Sequence, residues 1–148
     1  MTLGDYVNYR NGVPLGHPDS LKNNLLNSFG APSNAGFWKH WNPIWGYYLG
    51  GYVYRPLRGF LPQWLATLIT FAVSGAVHDL AVGLLGQGWQ GLITLWFLVM
   101  GLWLVVTRAL DIRYDRFGFP VRVSIHTLSL GACLGLATLL TKGGRFFV

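Results

Sequence analysis

Acidic residues are scarce in this sequence of 148 amino acids, which contains five aspartates and no glutamate. Charged residues make up only 11% of the chain, less than half of the roughly 25% typical of soluble domains, which argues against a water-soluble globule. Hydrophobic residues make up 52% and aromatic residues 16%, which excludes intrinsic disorder. A single cysteine, Cys133, cannot build a disulfide framework. The composition therefore predicts an integral membrane protein, and the apolar segments described below predict that its fold is all-α.

The net charge of +6 does not indicate nucleic-acid binding, because the basic residues lie beside apolar runs and not on one polar face. Positive charge beside hydrophobic segments is typical of cytoplasmic loops and of contact with anionic lipid headgroups. We therefore expect membrane lipids, and no nucleic acid, as partners.

Three segments are long and apolar enough to cross a bilayer, which takes roughly 20 residues. They cover residues 61–85, 89–110 and 121–140 and define a membrane domain over residues 61–148. Ahead of them, residues 1–36 are rich in Asn, Gly and Pro, which predicts a loop-rich cytoplasmic segment. Within that segment, three leucines and Phe29 at helical spacing predict one short amphipathic helix.

The distribution of Lys and Arg predicts the orientation of the three spans. The side that holds the N-terminus and the loop between the second and third spans carries nine basic residues, whereas the other side carries Lys142 and Arg145. Because basic residues accumulate in cytoplasmic loops, we expect the N-terminus in the cytoplasm.

Residues 37–58 form an aromatic segment between the N-terminal segment and the first span. Its stripe residues are spaced three or four apart, which places them on one face of a helix: Trp38, Trp41, Trp45, Tyr48 and Tyr52. Glycine, proline and polar positions interrupt the segment too often for it to span a membrane. Trp and Tyr favour the membrane–water interface, so we expect an interfacial helix here.

Asn42 in this segment has two possible roles. It precedes Pro43, and an Asn-Pro pair is a good N-cap followed by proline at the first helical position. Capping would explain the asparagine fully, but a chemical role is compatible with it if the amide faces a pocket.

His78 is an ionisable residue deep within the first span. Counting from Leu61, it lies roughly 25 Å along a straight helix, and ionisable groups at such depth usually face a bundle interior or a wet cavity. Thr70, Ser74 and His78 are four residues apart, so they form one polar line on the helix. A neutral imidazole there could act as a general base or could simply make an interhelical hydrogen bond.

Asp79 follows His78 directly, so its side chain points about 100° away around the helix, given 3.6 residues per turn. We therefore expect it to pair with an arginine or a backbone donor and not to orient His78. His126 lies at a different depth from His78, by at least about 10 Å along the helix axis. A two-histidine metal site is therefore not expected, and neither is a bound cofactor.

Two stretches together carry a family resemblance: FWKHWNPIWGYYLGGYVYRPL and, after thirteen intervening residues, FAVSGAVHDL. In this order and spacing they resemble the membrane-bound O-acyltransferase (MBOAT) family, in particular its sterol/diacylglycerol acyltransferase and wax-synthase branch. The matching pieces are Phe37-Trp38, Trp41-Asn42, Tyr54-Arg55-Pro56 and Ser74 to Asp79.

The resemblance implies that His78 is the catalytic base and that Asn42 helps to position the acyl donor. It also implies that Trp38, Trp41, Ser74 and Asp79 support the site as parts of the same motifs. The donor in this family is an acyl thioester, usually acyl-coenzyme A, and the acceptor is a hydroxyl group.

The chain departs from the family pattern in two respects. Asp79 stands where the family usually has Glu or Gly, and the chain has three spans where members usually have many more. The resemblance therefore implies that other membrane chains or self-association complete the enzyme. The alternative is a catalytically inactive, lipid-binding structural subunit of a larger membrane complex, whose histidine is a packing residue or a ligand to a porphyrin-like cofactor.

Overall fold

The computed structural model describes residues 1–87 and 91–144, and within these ranges the regular structure is entirely helical. The N-terminal helices are α1 (Leu3–Asn11), α2 (Ser20–Phe29), α3 (Asn34–His40), α4 (Pro43–Leu49) and α5 (Arg55–Arg58). A π-helical turn, Gly50–Tyr54, joins α4 to α5. The long helices are α6 (Gln63–Val82), α7 (Leu92–Ala109) and α8 (Phe119–Gly144).

The three long helices are long and apolar enough to cross a membrane, over Gln63–Gly86, Leu92–Ala109 and Phe119–Thr141. The predictions of an all-α fold and of an integral membrane protein with three spans are therefore confirmed. Pro62 precedes the first span in an extended conformation. The second span was expected from residue 89, which lies outside the described residues; α7 starts at Leu92, after Gly91 at φ 68°.

The aromatic segment is helical, as expected, but it is divided at Trp41 and Asn42. Asn42 adopts a left-handed conformation with φ 41° and ψ 74°. Proline at the next position disfavours right-handed helical geometry at this residue, so the helix does not continue through it. Trp38 therefore belongs to α3 and Trp45 to α4, whereas Tyr52 lies in the π-helical turn, so the expected stripe does not lie on one continuous helix. The short amphipathic helix expected near Phe29 is α2.

A close contact joins α6 and α7. A Cβ atom on Gly75 would lie 2.6 Å from the Thr94 Cα and 2.9 Å from the Phe97 Cβ, so only glycine fits at this position. Small residues permit such close approach of helices in membranes. This contact brings Phe97 next to the face of α6 that carries His78.

The N-terminal helices pack against the end of the bundle where α7 ends and α8 begins. Asn34 donates its amide to the Thr107 hydroxyl at 3.2 Å, which ties the start of α3 to the end of α7. The edge of the Trp38 ring meets the Phe71 ring on α6, with 4.8 Å between centroids. These contacts place α3 against α6 and α7.

Candidate active site

One wall of the candidate site is the polar line along α6. Thr70, Ser74 and His78 all line a cavity of about 230 Å³, whose other walls come from α3, α4, the π-helical turn and α7. Ser74 is buried, with 3% of its surface exposed, whereas His78 is exposed on the surface of the single chain. The cavity is therefore accessible at His78.

A hydrogen bond to the backbone determines the tautomer of His78. Its Nδ1 lies 2.7 Å from the carbonyl oxygen of Ser74, one helical turn earlier. A carbonyl oxygen can only accept, so Nδ1 carries the proton in the neutral ring and Nε2 keeps a lone pair. The ring is stacked on Phe97 at 5.1 Å and meets Trp45 edge-on at 5.9 Å. His78 therefore presents a basic nitrogen from an oriented ring.

Trp45 connects the aromatic segment to this polar line. Its indole Nε1 donates to the Ser74 hydroxyl at 2.8 Å. This bond gives the buried Ser74 hydroxyl the partner that a buried polar group needs. Through this bond α4 is fixed against the residue whose carbonyl oxygen orients His78.

Asn42 caps α4, as the Asn-Pro pair predicts. Its side-chain oxygen accepts from the Trp45 backbone N–H at 3.1 Å, which satisfies one of the free donors at the helix start. Asn42 also lines the cavity that contains His78. Because the oxygen is used by the cap, the amide nitrogen is the atom of Asn42 suited to donate a hydrogen bond to a substrate. Capping and a chemical role are thus compatible at this residue.

The cavity brings together five of the six residues that the sequence singles out. These are Trp38, Trp41, Asn42, Ser74 and His78. Tyr54 and Phe97 are among the lining residues that sequence reasoning did not assign to the site. Tyr54 belongs to the Tyr-Arg-Pro piece of the family resemblance, so the sequence did contain a signal that could have assigned it to the site. Phe97 lies in a uniformly apolar span, where nothing in the pattern distinguishes it.

Asp79 is the sixth residue, and it faces away from this cavity towards α7. Its carboxylate accepts from the backbone N–H groups of Ile93 and Thr94, at 3.2 and 2.7 Å, and from the Thr94 hydroxyl at 2.6 Å. Of the two partners expected for Asp79, the structure shows the backbone donor. Its role in this geometry is to cap the start of α7 from the neighbouring helix.

The described residues contain no group of three or more histidine, cysteine or acidic side chains that could hold a metal ion. His78 contacts aromatic rings and a backbone carbonyl oxygen. The chemistry that this arrangement supports is proton transfer by an imidazole that shares an aromatic-rich cavity with an amide donor.

A comparison with protein-family models matches residues 11–136 to the MBOAT, membrane-bound O-acyltransferase family. The match covers most of the chain and includes Asn42, Ser74 and His78. The chain therefore belongs to the membrane-bound O-acyltransferase family. No curated protein and no solved structure matches the chain.

Proposed function

We propose that this protein transfers an acyl group from an acyl thioester, such as acyl-coenzyme A, to the hydroxyl group of a lipid. An acceptor of the sterol, diacylglycerol or fatty-alcohol class agrees with the branch that the sequence resembles. The observation that carries the proposal is the bond between His78 Nδ1 and the Ser74 carbonyl oxygen. This bond leaves Nε2 basic in a cavity that also includes Asn42.

In the proposed reaction, His78 Nε2 takes the proton of the acceptor hydroxyl as its oxygen attacks the thioester carbonyl carbon. The carbon–sulfur bond then breaks, and the imidazolium returns the proton to the departing thiolate, so that an ester and a free thiol are formed. The Ser74 carbonyl oxygen stabilises the positive charge that develops on the ring, since it accepts from Nδ1 throughout.

Asn42 would act on the other partner of the reaction. Its amide N–H group can donate to the thioester carbonyl oxygen, where negative charge develops in the transition state. The cap bond to the Trp45 backbone holds the side chain in place, so the donor is oriented before the substrate arrives.

We infer that the exposed side of this cavity is covered in the membrane. His78 and Asn42 are both exposed in the single chain, and ionisable groups at membrane depth face a bundle interior or a wet cavity. Further transmembrane helices, from another chain or a second copy, together with membrane lipids, would supply that cover. The excess of basic residues on the N-terminal side supports a cytoplasmic N-terminus, from which a charged donor would enter.

A lipid-binding structural subunit without catalysis is the second candidate function. The exposure of His78 and Asn42 favours it, because a site that reacts with a thioester must exclude water. Mass spectrometry of the gently solubilised native assembly separates the two candidates. Stoichiometric co-purification with a complex of unrelated function would favour the structural subunit. Co-purification with polytopic acyltransferase chains would favour the enzyme.

The experiment that tests the enzyme is an acyl-transfer assay in lipid nanodiscs, with acyl-coenzyme A and a panel of lipid alcohols. We expect ester formation by the wild-type protein and its loss in His78→Ala. His17→Ala is the matched control, since His17 is an exposed residue of the N-terminal segment and should leave turnover unchanged. Equal turnover by wild type and His78→Ala would contradict the proposed base.

A further inference from the structure

The segment from Gly30 to Ser33, between α2 and α3, is held by hydrogen bonds from α8 and from the loop that precedes it. Arg122 Nη1 donates to the Gly30 carbonyl oxygen at 2.8 Å, and His126 Nε2 lies 3.0 Å from that of Ala31. The Tyr114 backbone N–H donates to the Pro32 carbonyl oxygen at 2.7 Å. Arg122 and His126 are one turn apart on α8, so consecutive turns of this helix hold consecutive peptide groups.

His126 is buried, with 3% of its surface exposed. Because the Ala31 carbonyl oxygen can only accept, Nε2 of His126 carries the proton and donates. The ring is stacked on Phe37 at 5.1 Å and meets the Tyr114 ring edge-on at 5.5 Å. Burial raises the pKa of the Tyr114 phenol, so this neighbour stays uncharged. His126 takes no part in the reaction proposed above.

The contacts of His126 lead directly to the candidate site. Phe37, on which its ring is stacked, is itself stacked on Trp41 at 5.4 Å, with 14° between the ring planes. Trp41 is the last residue before Asn42, and both line the cavity of His78. The bond to Ala31 holds the segment just before α3, and the ring contact with Phe37 holds the middle of α3.

We propose that His126 is a positioning residue for Asn42. It fixes α3 against α8 through its bond to Ala31 and its contact with Phe37, and so sets where α3 ends and where the amide of Asn42 lies relative to His78. The role of His126 in catalysis rests on the proposed acyl transfer, whereas its hold on α3 does not.

The test compares two substitutions of His126 with different hydrogen-bonding capacity. His126→Gln keeps an N–H donor at similar reach, and His126→Leu removes it at similar bulk. We expect kcat for acyl transfer to fall by roughly ten- to a hundredfold in His126→Leu, as for a misplaced polar group. His126→Gln should retain most of kcat, and the KM for the acceptor should stay unchanged in both. Thr127→Leu, at an exposed position of the same helical turn, is the control.

A second readout does not depend on activity. Hydrogen–deuterium exchange in nanodiscs should show faster exchange of the α3 amides in His126→Leu, but not in His126→Gln or Thr127→Leu. If the wild-type protein transfers no acyl group, the proposed function fails, and the exchange data alone then test whether His126 holds α3 in place. Unchanged exchange in His126→Leu, or an equal effect of the Leu and Gln substitutions on either readout, would overturn the proposal.

Discussion

His78 owes its chemical character to the residue one turn before it on the same helix. The Ser74 carbonyl oxygen fixes the proton on Nδ1, and the Ser74 hydroxyl accepts from Trp45 Nε1. One residue therefore orients the imidazole and also fixes α4 beside it. These two bonds of Ser74 connect a potential base to the helix that Asn42 caps.

The two roles of Asn42 can be separated by substitution. Asn42→Asp keeps an oxygen that caps α4 but loses the amide donor, so we expect unchanged thermal stability in detergent and a loss of turnover of about 10²-fold. Asn42→Gly tolerates φ 41° and should likewise fold, with stability lowered by only a few tenths of a kcal/mol, roughly the loss expected at an N-cap.

Turnover in Asn42→Asp close to that of the wild type would restrict this residue to capping. Circular dichroism of both variants, recorded beside the activity assay, distinguishes a chemical defect from a folding defect.

Among the helices, α6 and α7 form the pair on which the site depends. Asp79 caps α7 from α6, and Gly75 lets the two helices approach closely. Phe97 reaches the His78 ring as a consequence of this contact.

Asp79→Ala should destabilise this helix pair. It removes the acceptor of two backbone N–H groups and one hydroxyl, in a residue with 3% of its surface exposed. We expect a loss of roughly 2–4 kcal/mol in the free energy of unfolding, measured by thermal or denaturant unfolding in detergent. Leu80→Ala, at an exposed position, is the control and should change stability far less.

Gly75→Ala tests the close approach of α6 and α7. The added Cβ would lie 2.6 Å from the Thr94 Cα, so the helices must separate, at a cost of about 1–3 kcal/mol. Gly131→Ala is the matched control, because nothing lies within 4 Å of a Cβ at that position of α8. It should be neutral or stabilising by up to about 1 kcal/mol. Equal melting temperatures for the two variants would contradict the packing described here.

For the molecule as a whole, apolar run length predicts the three spans, because each span needs only its own sequence to be recognised. The Asn-Pro pair likewise predicts the cap at Asn42, since capping is local. It does not reveal that Asn42 divides the aromatic stripe, because the left-handed backbone there is a conformation that the spacing of Trp38 and Trp45 does not encode.

Long-range partners account for what the sequence leaves open. The place of Phe97 in the cavity depends on how α6 and α7 pack, and no motif signals it. His126 bonds to Ala31, which is 95 residues away in the sequence, so its link to α3 emerges only in the folded chain. The direction in which Asp79 points from its helix predicts that it pairs with an arginine or a backbone donor and not with His78. It does not predict that the donors are the backbone N–H groups of Ile93 and Thr94.

The membrane orientation is a prediction for the whole molecule. In a Cys133→Ala background, Leu85→Cys should react with a membrane-impermeant maleimide in intact cells, because it ends the first span on the side with few basic residues. Asn27→Cys, in α2, should react only after the membrane is permeabilised. The reverse labelling pattern would contradict a cytoplasmic N-terminus.

Chemical rescue is the sharpest test of whether His78 is the base of an acyl transfer. Turnover of acyl-coenzyme A by His78→Ala in nanodiscs would be measured with increasing concentrations of free imidazole. Because the His78 position is accessible from the cavity, we predict that activity is lost on substitution and rises again with imidazole. Turnover by His78→Ala at the wild-type rate without imidazole would contradict the account.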